Sequence, residues 1–279
     1  MNDALPFPAD RPFLQLPIAA LDFETTGLSP SRGDRVIEVA VVRGRPGEAP
    51  RTWQTLVQPG RTVAATHIHG ITDDMLAGTP PFAAIADELS RWLDGAVVVA
   101  HNASFDIAFL EMEFALAGRP APRLAVVDTL GLARRVLASG DHRLSTLCER
   151  FGLHRARAHR ALDDAHATWH LAGRLVRIAD PAGELRLEHV QLLSRRRTPA
   201  ELDSLLAVLD HARERQAPIV VDYLSGEFPE RPATRRTITV QKLTRSRVGA
   251  WCHLRDAERT FRVDRLRVVD DGTTPPRAG

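Results

Sequence analysis

Apolar residues follow two rhythms along the chain. Short unbroken runs at Ile18–Leu21, Val36–Val42 and Val97–Ala100 have the length and branched composition of buried strands. Trp53–Val57 and Leu124–Val127 read as two more. Phe82, Ile85, Leu89 and Trp92 recur at helical spacing and predict an amphipathic helix over 82–93. Another helix is predicted over 104–117, stopped by Gly118 and Pro120, with further helices near 129–138, 143–151 and 160–177. Three strands before any long helix, then strands separated by helices, predict an α/β fold whose mixed sheet opens with a meander and is flanked by helices.

The rhythm changes after about residue 178. Ser194–Pro199 reads as linker and helix start, and Leu202, Leu205, Leu206 and Leu209 form a helical stripe. Ile219–Tyr223, Thr237–Leu243, Ala250–Leu254 and Thr260–Val263 alternate with polar turns, as in a small sheet or barrel.

Composition sets bounds on this picture. With 279 residues, 44% hydrophobic and 26% charged, the chain suits two modest cores and excludes wholesale disorder. Two cysteines, Cys148 and Cys252, cannot make a disulfide framework, and there is no C-x-x-C for structural zinc. The run Ala96–Ala100 is too short to span a bilayer, and Asp3, Pro6, Pro8, Asp10 and Pro12 break the pattern of a leader, so a cytoplasmic location is expected. Residues 1–230 carry 25 basic and 30 acidic side chains, whereas 231–268 carry 11 basic against Asp256, Glu258 and Asp264. An acidic body with a basic end suits a body that gathers cations and an end that gathers phosphates. The same arginines would also serve simply to solvate a small β domain.

Three segments carry candidate chemistry. In the first, an apolar strand runs into Asp22-Phe23-Glu24-Thr25-Thr26-Gly27. Asp22 and Glu24, two apart on a strand, share a face, and such carboxylates repel unless a hard cation such as Mg²⁺ or Mn²⁺ lies between them. The second, His101-Asn102-Ala103-Ser104-Phe105-Asp106, follows the strand at Val97–Ala100. Asp106 there is either a further ligand or a first-turn acid favouring the helix dipole, and Asn102 suits a helix cap. The third, His159-Arg160-Ala161-Leu162-Asp163-Asp164-Ala165, sets an imidazole beside two acids. Imidazole is the usual general base near neutral pH. On a continuous helix His159 would share a face with Asp163, not Asp164. His67-x-His69 is a weak metal signal on a loop.

Together the three segments, with Ile68-His69-Gly70-Ile71-Thr72-Asp73 and Val127-Asp128-Thr129-Leu130 between them, resemble the DEDDh exonuclease superfamily over about residues 16–177. The resemblance implies an RNase H-like fold and a 3′–5′ exonuclease that releases nucleoside 5′-monophosphates from DNA, in proofreading or repair. RNA trimming and a catalytically silent nucleic-acid-binding regulator are the alternatives. It implies two Mg²⁺ or Mn²⁺ ions held by Asp22, Glu24, Asp106 and Asp164, with Asp22 bridging them and His159 as general base. It selects Asp164 over Asp163. It also implies that Phe23, Thr25, Thr26, His69, Asn102 and Phe105 lie near a single-stranded 3′ end, and that a polymerase or repair partner is possible. Some relatives carry an acid where this chain has Ala64 and Ala65.

The segments Ile219–Tyr223, Arg236-Thr237-Ile238, Trp251–Arg255 and Arg259–Leu266 resemble a WYL domain over about 200–270, which leaves 178–199 as linker. The naming Trp-Tyr-Leu triplet is absent, and Val240 stands where proline is common. This second resemblance implies a small SH3-like barrel that binds nucleic acid or a nucleotide ligand. Arg236, Arg259, Arg262 and Arg265 are the expected contacts, with Tyr223 or Trp251 as stacking surfaces or core.

Overall fold

A computed structural model describes residues 11–63, 66–137, 140–155, 159–195, 197–224 and 233–271. Ala64, Ala65, Arg196 and Arg231 lie outside the described residues. The chain divides into two compact units. The first runs to Ala133 and includes Gly140–Val176 and Gly183–Ser194; the second comprises Arg134–Ser139, Arg177–Ala182 and the chain from Arg195 onward.

The first unit is built on five strands, β1 (Ile18–Thr25), β2 (Val36–Gly44), β3 (Arg51–Leu56), β4 (Val97–Ala100) and β5 (Ala125–Asp128), in the order β3-β2-β1-β4-β5. The first three form the expected antiparallel meander, and β4 and β5 join β1 in parallel. β4 is buried throughout and β1 and β2 nearly so, which is why their sequences read as continuous apolar runs rather than alternations.

Two short helices, α1 (Thr66–His69) and α2 (Asp73–Leu76), precede α3 (Phe82–Leu93) and α4 (Ala103–Leu116). Phe82, Phe109 and Phe114 from the latter pair are fully buried against β-strand side chains such as Leu21 and Val39. Each such ring contributes roughly 1.5–3 kcal/mol through burial. Gly118, with φ of 66°, follows the end of α4 as expected. α5 (Thr129–Val136), α6 (Leu144–Phe151) and α7 (Ala161–Ala179) come next. The stretch read as linker contains one further helix, α8 (Leu187–Ser194), whose buried Leu187 and Val190 show why it packs.

In the second unit α9 (Pro199–Glu214) starts at a reciprocal cap between Thr198 and Glu201. It covers a five-stranded antiparallel sheet of β6 (Pro218–Tyr223), β7 (Thr234–Leu243), β8 (Arg247–Cys252), β9 (Ala257–Arg262) and β10 (Leu266–Asp270), ordered β10-β6-β7-β8-β9. Strand β10 was not expected from the sequence, because Leu266-Arg267-Val268-Val269-Asp270 is short and alternates poorly. No helix among the described residues is long and apolar enough to cross a membrane.

Candidate active site

β1 places Asp22 and Glu24 on one face at its C-terminal end, and the intervening Phe23 ring therefore points the other way, into the core. Of the residues expected near a 3′ end, Phe23 thus offers its backbone: its N–H donates to Asp106 Oδ1 at 3.2 Å. Asp106, on the first turn of α4, is 4% exposed. From this first-turn position, which also suits the helix dipole, Asp106 makes a contact across to β1. The capping role falls to Asp128, whose Oδ1 accepts from the Asn102 N–H at 3.0 Å and the Ala103 N–H at 3.3 Å. Asn102 itself takes a left-handed φ of 72° and makes no side-chain cap.

Asp164 enters from the first turn of α7 and is 6% exposed. His159 lies in a turn before that helix, with φ of 60°, so helical spacing from it to Asp163 does not apply. Ligand atoms of Glu24, His159 and Asp164 lie within 4.8 Å of one another; His67 and His69 are not part of that group. The cluster joins the end of β1 to the start of α7, with Glu24 and Asp164 140 residues apart in the chain.

The electrostatics of this cluster call for a cation. Asp22 is pushed well above the carboxylate range, first by burial, then by Asp106, Asp164 and Glu24. Burial, then Asp164 and Glu38, raise Glu24 to about 8. Burial raises Asp106 to about 8 despite its hydrogen bond from Phe23. Four crowded carboxylates and an imidazole are a hard-oxygen donor set that fits Mg²⁺ or Mn²⁺. The nearest guanidinium, Arg155, clamps Asp164 through Nε to Oδ1 and through Nη2 to Oδ2 at 2.6 Å.

Two residues that bear on this cluster, Glu38 and Arg155, are not evident from motif reading. Glu38 on β2 lies directly across from Glu24 and is 2% exposed. It accepts from Arg160 Nη2 at 2.7 Å and from the Ala161 N–H at 3.0 Å, which ties the start of α7, and so Asp164, to the sheet. Its signal in the sequence is an acid inside the apolar run Val36-Ile37-Glu38-Val39, which demands a buried partner. Arg155 has no such signal.

The remaining expected residues divide. Thr25 and Thr26 are buried, with hydroxyls directed to Gly27 O at 2.6 Å and Asp34 Oδ1 at 3.4 Å. Gly27 is required by Asp34 rather than by a turn angle: a Cβ there would lie 2.4 Å from the Asp34 carboxylate. His69 is buried and accepts from the Ile71 N–H at 3.1 Å, and Phe105 packs on Phe109 with ring centroids 4.9 Å apart. In the second unit, Arg259 and Arg262 are exposed, whereas Arg236 lies over the Tyr223 and Phe261 rings and Arg265 donates to Leu137 O. Tyr223 meets Phe261 edge-on at 4.9 Å, so its ring is packed.

A five-stranded mixed sheet of this order brings carboxylates together at the end of its central strand. Residues 19–172 match the family model described as Exonuclease, and residues 204–270 match that of the WYL domain. The chain belongs to the exonuclease family and carries a WYL domain behind it.

Among curated relatives, a PolC-type DNA polymerase III from Halalkalibacterium halodurans is 39% identical over 174 residues, 61% of this chain and 12% of that protein. A DNA polymerase III subunit epsilon-like protein from Rhodobacter capsulatus is 39% identical over 168 residues, 57% of this chain and 24% of that one. The chain thus spans a minor part of the length of these relatives. Among solved structures, exonuclease X bound to 5′-overhanging duplex DNA aligns with a TM-score of 0.51 and 25% identity, covering 64% of this chain and 99% of that one. The nuclease domain of 3′hExo, a DEDDh family member, shares the fold with a TM-score of 0.52 and 21% identity, covering 62% of this chain and 96% of that one.

Proposed function

We propose that this protein is a divalent-metal-dependent 3′–5′ exonuclease that hydrolyses DNA from its 3′ end and releases nucleoside 5′-monophosphates. The observation that carries the reading is the convergence of Asp22, Glu24, Asp106 and Asp164, with His159 at the edge of the cluster. These four carboxylates would hold a pair of Mg²⁺ or Mn²⁺ ions, which when bound stabilise the attacking and leaving oxygens of the phosphodiester. His159 takes the proton of the attacking water. It lies on an exposed turn within reach of Glu24 and Asp164. Glu38 and Arg160 hold the α7 carboxylate in register with β1. His69 and Phe105 line the path of the terminal nucleotide.

The identity with polymerase-associated relatives supports DNA as substrate and a replication or repair setting in the cytoplasm. In the second unit, the return of β10 to pair with β6 after a 3₁₀ turn at Val263–Arg265 supports a small SH3-like barrel, and its basic surface at Arg259 and Arg262 supports nucleic-acid contact.

The test is degradation of 3′-labelled single- and double-stranded DNA and RNA with Mg²⁺, Mn²⁺ or chelator. Shortening from the 3′ end of DNA, dependent on the ion and lost in Asp22→Ala, is the expected result. Activity that survives chelation or Asp22→Ala refutes the mechanism, and a preference for RNA overturns the substrate.

A further inference from the structure

We propose that the groove between α9 and the open end of β7 takes up a short extended peptide of a partner protein, one carrying aliphatic side chains beside carboxylates. The groove encloses about 690 Å³ and lies within the second unit. It arises from unequal pairing of β7. On one side β6 pairs with β7 only as far as Thr239, which faces Pro218, the first residue of β6. On the other side β8 pairs with it through to Leu243. The chain before Pro218 turns back to α9, where the Ala217 N–H donates to Ala212 O at 3.1 Å. From Val240 to Leu243, β7 thus has a strand neighbour among the described residues on one side only. An open strand edge is a template for a further strand, and about four residues fit along this one.

A bulge sets the side chains of this edge. The register slips between Val240 and Lys242, so Gln241 is the extra residue. Strict alternation after the buried Ile238 and Val240 would turn Lys242 into the core. The bulge instead leaves Lys242 exposed and lays Leu243 against the core cluster. Gly249, paired with Lys242 on β8, eases this arrangement, because a Cβ there would press on the Lys242 Cβ at 3.3 Å.

Leu243, with Leu206 and Ala207 of α9, gives the groove an apolar floor. Two cations of the rim are already engaged, Arg213 with Asp210 at 2.7 Å and Arg245 with Asp203 at 2.9 Å. Lys242, the sole lysine of the chain, has no ion pair among the described residues. A lysine and a bulge discourage indiscriminate pairing at a strand edge, so the strand that fits is one that brings a carboxylate to the ammonium. Alternate side chains of such a strand face the floor, which selects aliphatic residues between the acids. A nucleic-acid strand has neither the backbone amides for the edge nor the aliphatic groups for the floor. The proposal stands apart from the exonuclease reading and does not depend on it.

Fluorescence anisotropy of the full-length protein tests this, with a labelled peptide of about eight residues that alternates leucine and aspartate. The comparison probes are the same peptide with lysine for aspartate, the same peptide with N-methylated backbone amides, and a single-stranded oligonucleotide. The acidic peptide is expected to bind one to one and the lysine and N-methylated peptides not to bind. Lys242→Glu should weaken binding about tenfold, and Ala207→Gln, which fills the floor with a polar side chain, severalfold. Arg255→Glu, an equal change of charge outside the groove, should leave it unchanged. All three variants replace exposed side chains, so the fold is retained. Bound peptide should also shield Lys242 from acetylation severalfold, read by mass spectrometry. No binding, equal binding of the lysine or N-methylated peptide, indifference to either groove variant, an equal loss in Arg255→Glu, or an unshielded Lys242 overturns the proposal. An oligonucleotide that displaces the peptide and is itself weakened by Lys242→Glu overturns the peptide assignment.

Discussion

Replacing Glu38 tests whether the cluster is positioned from β2. Glu38→Ala leaves Arg160 without its carboxylate partner and the fully buried Ala161 N–H without an acceptor. Breaking a buried ion pair from one side costs about 3–5 kcal/mol. The Arg160 side chain is 28% exposed and can rehydrate, so the lower end, about 3 kcal/mol, is expected. Glu38→Gln keeps an oxygen for the Ala161 N–H and should cost about 1–2 kcal/mol. Urea unfolding reads both values.

A second readout separates positioning from bulk stability. Glu38 is one of the charges that raise Glu24, after burial and Asp164. Glu38→Gln should therefore bring the Glu24 carboxyl below about 8 and move the pH midpoint of Mn²⁺ binding downward. A Glu38→Ala cost under about 1 kcal/mol, or a binding midpoint that stays or rises, would refute this reasoning.

Asp164→Ala should abolish hydrolysis while Asp163→Ala retains it, measured on 3′-labelled DNA; the reverse pattern would restore the helical-spacing assignment. Glu24 and Asp106 hold protons to about 8 in the folded chain, whereas such carboxyls ordinarily ionise near 4.5 and 3.8. Their raised values contribute stability that is full below about pH 4 and lost as pH climbs to about 8. The chelated protein should accordingly melt lower at about pH 8 than at about pH 5, with the slope reduced in Asp106→Asn, and a melting temperature that rises over that interval would contradict the cluster's electrostatics. Arg155→Gln removes the cation that competes for Asp164 and should tighten Mn²⁺ binding severalfold by calorimetry; weaker binding would show that the guanidinium instead supports the site. Gly27→Ala forces the Asp34 carboxylate off the Ser29 N–H and Thr26, and should lower stability by about 1–3 kcal/mol.

The sequence by itself determined the five strands and the longer helices of the first unit, though not α1, α2 or α8, and the residue types of its site. Short branched apolar runs ending at Asp22, His101 and Asp128 read as strands, and an acid pair two apart on a strand end has one shared face whatever surrounds it. Periodicity is a local property, so it survives in one dimension. The second unit was less legible, because β10 is held by pairing with β6 rather than by its own pattern. Tertiary structure alone decided the partners. It made Asp106 a neighbour of Phe23, lifted His159 out of the helix and thereby separated Asp163 from Asp164, and gave Glu38 its arginine. It also set Leu206 and Ala207 beside the end of β7 around one groove. These assignments depend on contacts between residues far apart in the chain, and the burial and charge crowding that shift a carboxylate's proton affinity exist only once those residues are packed together.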